Sequence, residues 1–351
     1  MSTTLTEAIG AAPVVLDGGL ATQLESQGHD LDSALWSAQL LHEDPDAIVQ
    51  AHRAYFAAGA QVATTASYQA SISGFARVGI GQAEAEQLIK RSVRLAEQAR
   101  ASCADDHQRW IAGSIGPYGA ALADGSEYRG DYDLSVNQLR AWHRPRIELL
   151  AGAGVDVLAL ETIPCLAEVE ALLAEIAGSG QPCWLSITCA GDRTRAGEPA
   201  VEAFSLTRDV DEIIAVGVNC IDPADAYALV RSANASTRKP VVVYPNSGER
   251  WDAAARAWIG PATYRPEDVK DWISGGARLV GGCCRVGPAK IRRIRDLVSS
   301  RCSEGARGLP DRQRERDQSR AGHDHVDRQQ NRQDDKGEYG AAKKEDESGH
   351  S

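Results

Sequence analysis

The sequence predicts an α/β fold of the (β/α)8 type, a TIM barrel, in one domain with a disordered C-terminal tail. Three observations carry this. Short apolar, β-branched runs recur eight times. Segments of helical periodicity separate them. The alternation fills roughly 300 residues, the size of such a barrel. Near-continuous apolar strands alternating with helices imply a parallel sheet covered on both faces. A doubly wound open sheet is the competing architecture.

In order, the predicted strands are Val14–Gly19, Ala60–Ser67, Arg109–Gly116, Val155–Thr162, Pro182–Cys189, Ala215–Cys220, Pro240–Asn246 and Ala277–Cys284. Asp46–Ala58 and Gln82–Ala99 show the clearest amphipathic helical spacing, followed by Val136–Ala151, Leu166–Ala177, Pro223–Ala233 and Pro266–Ser274. Pro288–Leu297 follows the last strand with Pro at its first helical position, where the missing N–H costs nothing.

Residues 1–302 are assigned to the barrel. From Ser303 to Ser351 the chain is Arg, Asp, Gln, Glu, Lys, Gly and His with almost no apolar residue. Such a segment cannot bury enough surface to offset its ordering entropy, so 303–351 is predicted to be a disordered polar tail. His323 and His325 within it are read as part of that solvated tail rather than as a metal motif.

A formal net charge of -11 argues against nucleic-acid binding, which rests on clustered Lys and Arg. The chain starts without the basic and apolar regions of a secretory signal, and no window approaches the roughly 18 apolar residues of a membrane span. A cytoplasmic protein is expected. Its eight cysteines are then reduced thiols, not a disulfide framework.

Polar residues gather at the predicted strand ends, where a barrel places its chemistry. They are Asp17, Thr64 and Thr65, Ser114, Glu161, Asn219 and Cys220, Asn246, and the vicinal pair Cys283 and Cys284. Strands six and eight flank strand seven, so Cys220, Cys283 and Cys284 can converge. Three thiolates suit zinc and leave its fourth position open, as catalytic sites do. Three unrelated buried cysteines are the plain alternative. Neighbouring residues of a strand point to opposite faces. Both Cys283 and Cys284 reach one ion only if the chain leaves the strand, and Gly281 and Gly282 supply the conformational freedom for that. Cys189, near the end of strand five, is a further thiol that can approach the site.

The set Asp17-Gly18-Gly19, Gly113–Gly119 (GSIGPYG), Glu161–Pro164 (ETIP), Gly217–Cys220 (GVNC) and Gly281–Cys284 (GGCC) resembles the homocysteine S-methyltransferase family. The likeness runs in order from about residue 13 to 298. Ser67–Ser71 and Ala120–Gly130 (AALADGSEYRG) look more like the branch that uses S-methylmethionine than the one that uses betaine. The resemblance implies one zinc ion per chain on Cys220, Cys283 and Cys284. It implies transfer of a methyl group from a sulfonium donor, S-methyl-L-methionine or S-adenosylmethionine, to L-homocysteine, forming L-methionine. Asp17 and Glu161 match acidic positions near the homocysteine ammonium. Ser114 and the backbone at Gly116 are candidates for its carboxylate. Thr64, Thr65 and Asn219 are candidates to orient polar groups. Trp36, Tyr68 and Tyr118 are candidates to face the sulfonium through cation–π contact. His52 and His143 are assigned to packing or surface positions.

Other readings stay open on the sequence. One is the same chemistry with a betaine-type donor. Another is a non-catalytic zinc- or thiol-sensing barrel with a closed site, Cys189 being its fourth ligand. A third, the vicinal pair as a dithiol switch, is weakened by the strain of a disulfide between adjacent cysteines.

Overall fold

The structure is a computed structural model that describes residues 3–31, 37–252 and 257–307. Trp36 and residues 308–351, most of the predicted tail, lie outside the described residues. Met1–Arg301 form one compact unit, and of the second, Cys302–Ser351, only the part up to Arg307 is described.

Eight parallel strands form the sheet: β1 (Val14–Val15), β2 (Val62–Thr64), β3 (Trp110–Ile115), β4 (Val157–Ile163), β5 (Cys183–Ile187), β6 (Ile213–Asn219), β7 (Val241–Tyr244) and β8 (Ala277–Val280). Each predicted apolar run overlaps one of them, with β4 running one residue past its run to Ile163 and β6 starting before its run at Ile213. Chain neighbours pair in sequence from β2 to β8, and β8 pairs with β1. The ring closes between β1 and β2 through the single parallel bridge of Leu16 to Val62. There Gln61 reinforces the join, its N–H donating to Val15 O at 2.7 Å and its Oε1 accepting from Val15 N at 3.1 Å.

Period-two alternation divides the apolar residues into two bodies. Val14, Leu16, Val62, Trp110, Ala112, Val157, Ala159, Trp184, Ala215, Val242, Tyr244 and Leu279 fill the barrel interior. Residues between them, such as Ile111, Leu158, Leu160, Leu185, Val216 and Val243, pack outward into the larger shell under the helices. Burying each such Leu, Ile or Val contributes about 1.5–3 kcal/mol.

Helix α1 (Leu5–Ala11) adds Leu5 and Ile9 to the interior cluster beneath Trp110. Its start is set by a capping box, with Glu7 N–H donating to Thr4 Oγ1 at 3.2 Å and Thr4 N–H donating to Glu7 at 2.8 Å. Trp110 Nε1 donates to Thr3 O at 3.1 Å, tying this plug to the N-terminal end of β3. Chemistry is thereby confined to the opposite mouth.

Helices α2 (Leu20–Ser26), α3 (Ser37–Glu43), α4 (Pro45–Ala58), α5 (Ile72–Arg77), α6 (Gln82–Ala101), α7 (Tyr118–Leu122), α8 (Val136–Ala151), α9 (Leu166–Ile176), α10 (Ala200–Leu206), α11 (Pro223–Thr237), α12 (Val269–Ser274) and α13 (Pro288–Arg307) follow in order. Caps set several starts. Asp44 accepts from Ala47 N–H with Pro45 next to it, and Asp222 caps α11 the same way before Pro223. Helix α13 runs into 303–307, which composition assigns to the tail; a nucleated helix propagates at little cost without burial. No helix among the described residues is long and apolar enough to cross a membrane.

Arg146 of α8 is almost wholly buried and knits the reactive mouth from behind. Its guanidinium donates to Gly116 O at 3.0 Å, to Ser67 O at 3.2 Å and to Tyr68 O at 2.9 Å, with its flat face over the Trp142 ring at 4.8 Å. The loops leaving β2 and β3 are thus held by one cation. Arg146→Leu strips donors from three carbonyls, and a buried acceptor left unpaired costs about 1–3 kcal/mol. A loss of at least about 3 kcal/mol in urea unfolding is expected; an unchanged midpoint would show that the loops hold themselves.

Candidate active site at the C-terminal mouth of the barrel

Cys220 directly follows β6, and Cys283 and Cys284 follow the end of β8 at Val280. Their three Sγ atoms lie within 4.8 Å of one another, and among the described residues they are the only such group of potential metal ligands. Tetrahedral thiolates on zinc stand roughly 3.8 Å apart, given Zn–S of about 2.3 Å, so the donor set fits that ion. The thiols also fit it electrically. Cys220 and Cys283 donate toward Cys284 and hold its thiol well below the ordinary value, whereas Cys283 is pushed well above it by Cys220 and Cys284. One proton leaves readily and the next does not, so three thiolates coexist only with a cation among them.

The backbone that brings the pair together differs from the expectation. The strand does end before Cys283, but neither Gly281 nor Gly282 has a positive φ. What they permit is close approach. A Cβ on Gly281 would stand 2.7 Å from Leu16 Cβ and 2.8 Å from Asp17 O, and one on Gly282 would meet Val286 at 2.1 Å. Left-handed backbone falls instead on Thr162 (φ 62°), Cys220 (φ 50°) and Arg285 (φ 64°), none of them glycine. Such residues cost of order 1–3 kcal/mol each and persist where their surroundings hold them. Asn219 provides that hold for Thr162, accepting from its N–H at 2.7 Å and donating to its hydroxyl at 2.7 Å. Thr188 Oγ1 donates to Cys220 O at 3.1 Å, and Asn246 Oδ1 accepts from Cys284 N–H at 3.1 Å.

Two buried carboxylates flank the sulfurs. Asp17 accepts from Thr64 N–H at 2.7 Å and from the Thr64 hydroxyl at 3.0 Å. Glu161 accepts from the Ser114 hydroxyl and, at 3.0 Å, from the Tyr244 hydroxyl. Tyr244 is fixed in turn by Trp184 Nε1 at 3.0 Å and Ser186 Oγ at 2.7 Å. Burial raises Asp17 to about 8, its bonds to Thr64 opposing and Glu161 adding. Burial likewise raises Glu161 to about 7 against the Ser114 bond, with Cys220 adding. Both acids therefore lack a positive charge. An ammonium between them would supply it and draw both into the ionised form.

The other residues singled out from sequence take supporting places. The Ser114 hydroxyl is spent on Glu161, and the Asn219 amide on Thr162. Thr65 Oγ1 accepts from Ser114 N–H at 3.0 Å and shares a hydrogen with Ser67 Oγ at 2.7 Å, bracing the end of β3. Tyr68 packs its ring against Gly116, where a Cβ would come within 2.6 Å of it. Tyr118 packs edge-on with Tyr132 and Trp142, at 5.3 and 5.2 Å. Trp36 is outside the described residues. Cys189 is buried with its thiol pushed up to about 12, and it does not join the sulfur cluster. His52 and His143 are fully buried packing residues, the latter 2.8 Å from Glu168. Sequence reasoning missed Tyr244, whose signal was its inward position two residues after Val242, and Glu127 and Tyr128, whose signal was the stretch Ala120–Gly130 in which they lie.

The family model described as homocysteine S-methyltransferase matches residues 14–298. Homocysteine S-methyltransferase YbgG of Bacillus subtilis is 43% identical over 292 residues, spanning 80% of this chain and 93% of that protein. Homocysteine S-methyltransferase of Escherichia coli is 43% identical over 295 residues, spanning 80% and 94%. Among solved structures, the E. coli homocysteine methyltransferase MmuM in a metallated form superimposes with a TM-score of 0.73 at 40% identity, over 81% of this chain and 96% of that one.

Proposed function

The chain belongs to the homocysteine S-methyltransferase family and is a methyltransferase, and from this premise we propose that it transfers a methyl group from a sulfonium donor, S-methyl-L-methionine, to L-homocysteine at a site holding one zinc ion. The observation that carries this is the convergence of the Cys220, Cys283 and Cys284 sulfurs within 4.8 Å beside two buried acids. Zinc bound there supplies a Lewis-acid position at which the homocysteine thiol gives up its proton.

The chain's own residues do the rest. Asp17 and Glu161 hold the homocysteine ammonium, and Thr64, Ser114 and Tyr244 keep those carboxylates aimed. The strained turns at Thr162 and Cys220 are set before substrate arrives, so no reorganisation is needed on binding. In the reaction the homocysteine sulfur attacks the donor methyl carbon. The carbon–sulfonium bond breaks, its electron pair stays on the donor sulfur, and a neutral thioether leaves. That leaving group needs no proton, so the step calls for no histidine acid. With S-methyl-L-methionine as donor, both products are L-methionine. The protein is expected to work in the cytoplasm on small molecules alone, with residues 1–302 sufficient for the chemistry and 303–351 a polar tail outside it.

Zinc content by elemental analysis, with methionine formation from homocysteine and S-methyl-L-methionine before and after a chelator, tests the reading. About one zinc per chain, and turnover that stops on chelation and returns with metal, is the expected result. Zinc without turnover on any sulfonium or betaine donor would move the function to thiol sensing.

A further inference from the structure

A third buried acid stands apart from the pair that serves the acceptor. Glu127 lies in the short 3-10 turn Ser126–Tyr128, in the segment between β3 and α8. It is only 8% exposed, and its Oε2 is buried with no hydrogen-bond partner among the described residues. The turn around it is built. Gly125 takes φ 80°, Ser126 N–H donates to Asp124 Oδ1 at 2.9 Å, and Arg129 Nη2 donates to Ser126 Oγ at 2.7 Å. Gly119 lets the turn press down, for a Cβ there would be 2.4 Å from Glu127 N.

Its setting is the sulfur cluster. Glu127 is electrostatically coupled to Cys220, and the neighbouring Tyr128 to Cys220, Cys284 and Cys283. Asp17 and Glu161 interact with each other, whereas the acid beside Glu127 is Asp124. Cys220 therefore couples to two separate carboxylates, Glu161 and Glu127. Arg195, whose guanidinium stands 5.5 Å over the Tyr128 ring and donates from Nε to Thr188 at 3.2 Å, brings a positive charge to the same side. A carboxylate and a guanidinium around one aromatic ring match the two charges of an amino-acid head group. A buried carboxylate oxygen with no hydrogen-bond partner is costly unless a cation completes it, and burial raises Glu127 to about 7 although its own backbone N–H and Arg129 oppose.

We propose that Glu127 receives the α-ammonium of the sulfonium donor, so that the site reads the donor as an α-amino acid and not merely as a methyl sulfonium. This rests on the sulfonium-donor reading above. It makes Glu127 a specificity-determining residue, with Tyr128 and Arg195 as the other walls of the donor pocket.

The test compares two donors on the zinc-loaded full chain, S-methyl-L-methionine and 4-(dimethylsulfonio)butanoate, the same molecule without its ammonium. Charge-assisted hydrogen bonds of this kind are worth roughly 10- to 100-fold in kcat/KM. Wild type should prefer the amino-acid donor by about that factor, and Glu127→Gln should bring the ratio of the two kcat/KM values toward one. A ratio that Glu127→Gln leaves unchanged overturns the proposal. So does a wild-type ratio near one, which decides the matter even if the variant fails to fold. A wild-type protein idle with both sulfoniums but active with betaine would instead overturn the underlying donor reading, and that outcome is distinct from the first two.

Discussion

Cys284→Ala is expected to yield a folded barrel that retains less than about a tenth of the wild-type zinc and loses methyl transfer at least about a thousandfold, well beyond the 10–100-fold typical of a supporting residue. The fold should survive, because what Cys284 gives the structure is its backbone N–H, donated to Asn246, and alanine keeps it. The site should not, because two thiolates cannot fill the place of three in a tetrahedral ion. Elemental analysis and a methionine-formation assay on the same preparation check both halves. Full zinc with normal turnover would refute the ligand assignment. Zinc retained without turnover would move Cys284 from metal binding to positioning the substrate.

Gly217→Ala should fail earlier, at the fold. Gly217 pairs with Val242 between β6 and β7, and a Cβ on it would stand 1.9 Å from the Val242 carbonyl oxygen. The obstacle is backbone, so no side chain can swing aside to relieve it. Either the two strands part or β6 shifts, and Asn219 and Cys220 lie two and three residues farther along it. Insoluble protein, or a destabilisation above about 4 kcal/mol in urea unfolding, is expected. A Gly217→Ala protein with wild-type unfolding and full zinc would mean that the β6–β7 contact is looser than its register indicates.

The barrel was legible because its strands are short apolar runs between turn signals, and each such run overlaps an observed strand. What escaped were α1, α2, α3, α5, α7 and α10, helices of five to seven residues whose two turns are too few for a period to stand out. The convergence of Cys220, Cys283 and Cys284 was legible because two strand ends carry them and because the flanking motifs are specific. Their backbone was misread. Glycines suggest left-handed turns, whereas here they clear space for Leu16, Asp17 and Val286, and the left-handed residues are Thr162, Cys220 and Arg285. A non-glycine in that conformation is imposed by tertiary contacts and leaves no local mark. Side-chain allegiance was hidden for the same reason. Ser114 belongs to Glu161 and Asn219 to Thr162 through pairs 47 and 57 residues apart, separations over which residue type alone assigns no partner.

The barrel has a weak seam, and Asp17 is stitched across it. β1 is two residues long, and only the Leu16–Val62 bridge and the Gln61 contacts join it to β2. Directly above that join, Asp17 on one side accepts both the N–H and the hydroxyl of Thr64 on the other. An acid poised near neutrality grips such donors harder once an ammonium drives it to the carboxylate. On the proposed function, occupancy of the amino-acid site and closure of the cylinder are one equilibrium seen from two ends. Without ligand, local opening is expected to be cheapest along the β1–β2 line. With ligand, the same two hydrogen bonds are expected to hold the join, and amide exchange in the first and second strands should slow on addition of homocysteine.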